Sequence, residues 1–237
     1  MSANRSRETL QDELGAEPRT VFSGRYAMFF SGRECGEERW LIEATPDHLV
    51  ARGEQVITAP HPFPNHQQYR VTLTHDWRVT GLEVEWVVGE RTLHATHSAA
   101  GEMWRARIAY ADHVKEQEGD YPSGCEVDFT THLFSAFILQ RRDFALDGEH
   151  EFPVLTIGPP YMAVTPGRLL YHCVEVGSYS SPLGARAAKR YRVSRPPENE
   201  SEGFTFWADE DGIVLESYEG HDASRPWMRL VEYRQGG

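Results

Sequence analysis

Within residues 68–79 of this sequence, Tyr69, Val71, Leu73, His75, Trp77 and Val79 take every second position, and Gln68, Arg70, Thr72, Thr74, Asp76 and Arg78 fall between them. A period of two belongs to a β-strand with one wetted side. His75 is then an imidazole on an apolar face, where it would serve as a general base or orient a ligand. A core histidine bonded to a backbone carbonyl is the plainer alternative, because buried polar groups normally find such partners.

The second candidate group is charged. Arg141 and Arg142 close a segment, 131–142, whose apolar residues Leu133, Phe134, Phe137 and Ile138 recur at spacings of three and four, the pattern of an amphipathic helix. Two guanidiniums there suit the helix dipole, and at the rim of an apolar cavity they would hold a carboxylate or phosphate through paired hydrogen bonds. Asp128, just before the helix, is expected to pair with one of them.

Other chemistry is not signalled. The eleven histidines lack metal-ligand spacing: His94 and His97 are three apart, which on a strand sends them to opposite faces. Cys35, Cys125 and Cys173 are scattered and read as reduced, packed thiols. No GxSxG elbow or glycine-rich phosphate loop occurs. No metal site and no cofactor are expected.

Any such site rests on strands. Alternating or apolar runs are expected at 26–30, 39–44, 49–55, 68–79, 82–88, 91–96, 103–110 and 113–117, then after the helix at 154–157, 169–176, 190–193, 204–208, 213–218 and 227–233. Their spacing suits antiparallel meanders. Asp209-Glu210-Asp211-Gly212 reads as a hairpin turn, Gly212 supplying the positive φ. Three stretches, 59–66, 178–188 and 195–203, carry proline and glycine and are expected to stay outside the sheet; the first, with Phe63, is expected to be an ordinary surface crossover, with cover of a cavity mouth as the alternative.

Composition limits the function. The 24 Lys and Arg against 36 Asp and Glu give a net charge of −12, which opposes phosphate neutralisation and makes nucleic acid an unexpected partner. Six Trp, ten Tyr and eleven Phe are enough to line a cavity as well as fill a core. Residues 1–20 read as a mobile arm and 21–237 as a single domain. With no signal-peptide core and no stretch able to span a bilayer, a cytoplasmic location is expected. Oligomeric state is not legible.

The stretch GCEVDFTTHLFSAFILQRRDF at 124–144, with RYRVS and GFTFWADEDGIVLESYEG at 203–220, resembles the family of bacterial proteins described as "putative glycolipid-binding". The resemblance implies a spiral β-roll, related in shape to periplasmic lipoprotein carriers, curled around a hydrophobic groove that takes a lipid-like molecule. It places the family's acidic residue at Asp128 and its paired arginines at Arg141 and Arg142.

The sequence thus predicts a mainly antiparallel curved sheet, a β-roll or incomplete barrel with one main helix. Its concave side is expected to be lined by Tyr69, Leu73, His75, Trp77, Trp86, Trp104 and Tyr110. The expected function is binding of an apolar or amphipathic small molecule. The alternatives are a cofactor-independent isomerase or cyclase acting on a polyketide, terpenoid or lipid-like substrate through His75, with Arg141 or Asp128 placing the substrate, and a structural module whose own side chains fill the interior.

Overall fold

The computed structural model describes residues 18–196, 203–220 and 225–236. Most of the expected arm lies outside these residues. Among the described residues, fifteen strands form one sheet in the order β8-β7-β6-β5-β4-β3-β2-β1-β15-β14-β13-β12-β11-β10-β9. The strands are β1 (Arg19–Phe30), β2 (Arg33–Ala44), β3 (Leu49–Ile57), β4 (Asn65–Leu73), β5 (Val79–Val88), β6 (Arg91–Ala100), β7 (Met103–Ala109), β8 (Val114–Asp120), β9 (Glu126–Asp128), β10 (Glu149–Gly158), β11 (Ala163–Ser181), β12 (Gly184–Ser194), β13 (Phe204–Asp209), β14 (Val214–Glu219) and β15 (Pro226–Gln235). Every pairing is antiparallel except the short parallel one between β9 and β10.

The alternating pairings place the connections at two ends. We call upper the end where β1 passes into β2. The β3–β4, β5–β6, β7–β8 and β10–β11 connections lie there too, whereas β2–β3, β4–β5, β6–β7, β11–β12 and β13–β14 turn at the lower end. The sheet curls until the start of β11 reaches β7 and β8. Tyr110 Oη donates to the Tyr161 carbonyl at 3.0 Å and the Val164 amide to Gln117 Oε1 at 3.1 Å.

The helix α1 (Leu133–Arg141) runs inside this curve from the upper end downward. Its first six residues, Leu133 to Ile138, are all buried, so these turns are enclosed on every side and plug the sheet where the spacing suggested an amphipathic helix. Phe134 and Phe137 join the larger core with Tyr26, Trp40, Tyr69 and Trp104; Ile138 faces a second cluster with Phe144, Phe152, Tyr171, Tyr191 and Phe206.

Two expectations about local structure are corrected. Residues 68–79 are not one strand: β4 ends at Leu73 and β5 begins at Val79, with a tight turn between them in which Trp77 has φ +65°. The stretch 178–188 is not a loop: β11 and β12 are paired through Ser181↔Gly184, leaving only Pro182 and Leu183 at the turn. A proline at the tip of a hairpin donates nothing to the ladder and so does not interrupt it. The 209–212 turn forms as expected, with Gly212 at φ +71° and Asp209 Oδ1 accepting from the Asp211 and Ile213 amides.

Candidate functional site

Five upper segments converge on a cleft of about 200 Å³: the β9–α1 connection, the end of β10, Arg195 just past β12, and the starts of β13 and β15. Asp128, Thr130, Thr131, His132, Thr156 and Arg195 supply its polar atoms; Phe129, Ile157, Phe204 and Trp227 supply its apolar wall. Asp128 ends β9, the three-residue strand held on β10 through Thr156↔Asp128. That pairing sets Arg195 Nη2 at 2.5 Å from Asp128 Oδ2, and Arg195 Nη1 at 2.7 Å from Thr156 Oγ1. Burial raises the Asp128 pKa and Arg195 opposes the rise.

His132 precedes α1 and is enclosed by rings: Trp227 at 5.2 Å, Phe204 at 5.7 Å and Tyr26 at 6.5 Å. Its Nε2 lies 2.6 Å from Ser217 Oγ. Desolvation lowers its pKa to about 4, so at neutral pH it is an uncharged imidazole.

Behind Thr130 and Thr131 a row of polar side chains crosses four strands on the concave face. Register pairs Tyr26 with Glu38, Glu38 with Gln55 and Gln55 with Gln67, and directly opposed residues share a face. Gln67 Nε2 donates to Gln55 Oε1 and Thr130 Oγ1, both at 3.0 Å. Thr131 Oγ1 and Tyr69 Oη both donate to Glu38 Oε1. Glu38 is fully buried, and desolvation raises its pKa to about 7 against the Thr131, Tyr69 and Gln55 side chains that favour the ion. A carboxyl in that range exchanges its proton near neutrality, the property an acid–base or proton-linked group needs.

Of the residues singled out in the sequence, only Asp128 lines this cleft. Tyr69 is buried one step behind it, on Glu38. His75 sits in the lower β4–β5 turn, at the other end of the sheet, with Nε2 at 3.1 Å from the Pro46 carbonyl. Trp77, in the same turn, closes the lower end against Phe22 at 6.2 Å and Phe137 at 6.1 Å. Leu73 is core. Trp104 is buried and donates to His97 Nδ1 at 3.4 Å, so the imidazole on an inward strand position is His97. Trp86 and Tyr110 are partly buried near the upper end.

The expected pairing of Asp128 with Arg141 or Arg142 is also corrected. Arg141 Nη1 and Arg142 Nε bind Glu126 at 2.6 and 2.9 Å, and Arg142 Nη2 takes the Gly124 carbonyl at 2.9 Å. Residues 126 and 128 lie on the same side of β9, but α1 descends, so its last turn meets the lower residue and leaves Asp128 to Arg195. Sequence reasoning missed Arg195, His132, Trp227 and Glu38. Only Glu38 carried a signal, as a carboxylate in register with Trp40, Ile42 and Ala44.

Among solved structures, the chain is similar to a β-barrel-like protein of a domain of unknown function (DUF1849) from Brucella abortus, at 8% identity over 94% of this chain and 99% of that one, TM-score 0.54. It is also similar to a DUF1089 family protein from Pseudomonas aeruginosa, at 16% identity over 79% and 91% of the two chains, TM-score 0.48. No curated protein matches it. The first likeness is one of fold, and it agrees with the unclosed, curled sheet described above. A family model matches residues 32–222, well beyond the second half that carried the resemblance, and by that match the chain belongs to the family described as "Putative glycolipid-binding".

Proposed function

We propose that the protein binds an amphipathic, glycolipid-like small molecule whose polar head occupies the upper cleft. The observation that carries this reading is the make-up of the cleft: Trp227, Phe204, Phe129 and Ile157 line it together with Asp128, Arg195 and three threonines. A flat ring beside hydrogen-bonding carboxylate and guanidinium groups suits a molecule with an apolar face and a hydroxylated edge. At about 200 Å³ the cleft is smaller than the roughly 300–1,000 Å³ of most small-molecule sites. It therefore takes a single ring or headgroup, and an attached chain leaves it. Membership in the family supports the same class of ligand. The expected catalytic alternative relied on His75 as base, and with that imidazole in the lower turn we retain the binding reading.

The test is isothermal titration of the full-length protein with n-octyl β-glucoside below its micellar concentration. Saturable binding is expected, weakened about tenfold or more by Trp227→Ala, which removes an aromatic platform of roughly 1–3 kcal/mol. Absence of saturable binding, or equal binding by the variant, overturns the reading.

A further inference from the structure

The cleft floor conceals groups that the binding reading leaves unused. Thr130 and Thr131 line the cleft, and both also hold the interior polar row, through Gln67 and Glu38. In that row Glu38 Oε2 and the Tyr26 hydroxyl are buried and have no hydrogen-bond partner among the described residues. Native proteins leave few such groups, because each costs the desolvation of a polar atom with no bond in return. Here an acceptor and a hydroxyl, both unsatisfied, stand on directly paired residues of β1 and β2.

We propose that Glu38 is the innermost group of the ligand site, taking a hydroxyl of an uncharged, polyhydroxylated headgroup on its free oxygen beside Tyr26, and so selecting such headgroups over phosphate-bearing ones. This rests on the binding reading and deepens it. Thr131 and Tyr69 keep Oε1, and the guest hydroxyl takes Oε2. Two carboxylates, Glu38 and Asp128, bear on the site, and the one guanidinium that lines it among the described residues, Arg195, is already held by Asp128; a phosphate there meets uncompensated negative charge. The other ionisable groups facing Glu38 are Tyr26 from β1 and Tyr69 from β4, with His132 against the Tyr26 ring and Asp209 and Tyr233 acting on Tyr26 from further off. Among the described residues, the side chains that stabilise the Glu38 ion are those of Thr131, Tyr69 and Gln55, and none is cationic.

A hydroxyl donating to Glu38 stabilises its ionised form, so binding releases a proton and tightens as pH rises through the range where Glu38 titrates. The experiment titrates n-octyl β-glucoside and n-octyl phosphate, both below their micellar concentrations, into the full-length protein and Glu38→Gln at pH 5.5 and 8.5. The native protein is expected to prefer the glucoside and to bind it about tenfold more tightly at pH 8.5, the difference between a charge-assisted and a neutral hydrogen bond. Glu38→Gln is expected to bind it about tenfold more weakly at pH 8.5 and with a flat pH profile. Tyr26→Phe, which removes only the hydroxyl, is expected to lose a few-fold and serves if the first variant does not fold. Glucoside binding with the same affinity and pH profile in native protein and variants overturns the role of Glu38 while the cleft reading stands. Equal affinity for the phosphate also overturns it. No binding of the glucoside by native protein overturns both.

Discussion

Glu38→Gln should stabilise the protein at neutral and alkaline pH. Glu38 has its pKa raised from 4.5 to about 7, with desolvation as the leading cause. The native state therefore binds this proton more tightly than the unfolded chain. Between about pH 4.5 and 7 the folded protein holds a proton that the unfolded one has lost, so stability falls as pH rises through that window and the loss is complete above it. The shift corresponds to roughly 3 kcal/mol at pH 8, a large share of the ~5–15 kcal/mol typical of a folded domain. Glutamine keeps an oxygen to accept from Tyr69 and Thr131 and carries no charge to desolvate. Urea unfolding of both proteins at pH 4.5 and pH 8 is the assay, and only the difference between them matters, since other groups titrate in both. The variant is expected to be near parity at pH 4.5 and more stable by about 2–3 kcal/mol at pH 8. A variant less stable by the same amount at both pH values would show that Glu38 is held as a favourable ion, and the burial argument would fail.

Two further outcomes follow from the interior. His97 and His132 both have pKa values lowered to about 4 by desolvation, so each favours the folded state above pH 6.5 and that contribution is lost as pH falls from 6.5 toward 4; imidazole NMR titration should find both neutral at pH 5.5, and a midpoint near 6.5 for either would contradict their burial. A Cβ at Gly53 would overlap the Tyr69 ring, whose hydroxyl is fixed on Glu38, so Gly53→Ala should cost about 1–3 kcal/mol in chemical denaturation, and a neutral substitution would mean that Tyr69 is free to move.

The sheet was legible because its strands have one wet side. In β2 the buried positions Glu38, Trp40, Ile42 and Ala44 alternate with less buried ones, and period two survives whatever the sheet does over longer distances. The same rule misled at 68–79. Thr74 to Arg78 reverse the chain without Gly or Pro, and Trp77 adopts the positive φ that a glycine normally takes, so the apolar alternation runs straight through a turn. That single reversal moved His75 from the expected interior to the lower end. The cleft was illegible for a different reason. Asp128, Arg195, Phe204 and Trp227 come from segments that only the order of strands in the sheet brings together, and Arg195 lies in a proline-rich stretch with no period to read. The helix was placed to within two residues at each end, yet which carboxylate its arginines reach depends on the direction in which it crosses β9, and spacing along a helix does not encode that.

The most direct test of the account is a crystal structure of the protein with n-octyl β-glucoside bound. The sugar is expected in the upper cleft, its ring against Trp227 and its hydroxyls within hydrogen-bonding reach of Asp128 and Arg195. Density for the glucoside at the lower end beside Trp77 and His75, with the upper cleft untouched, would contradict it.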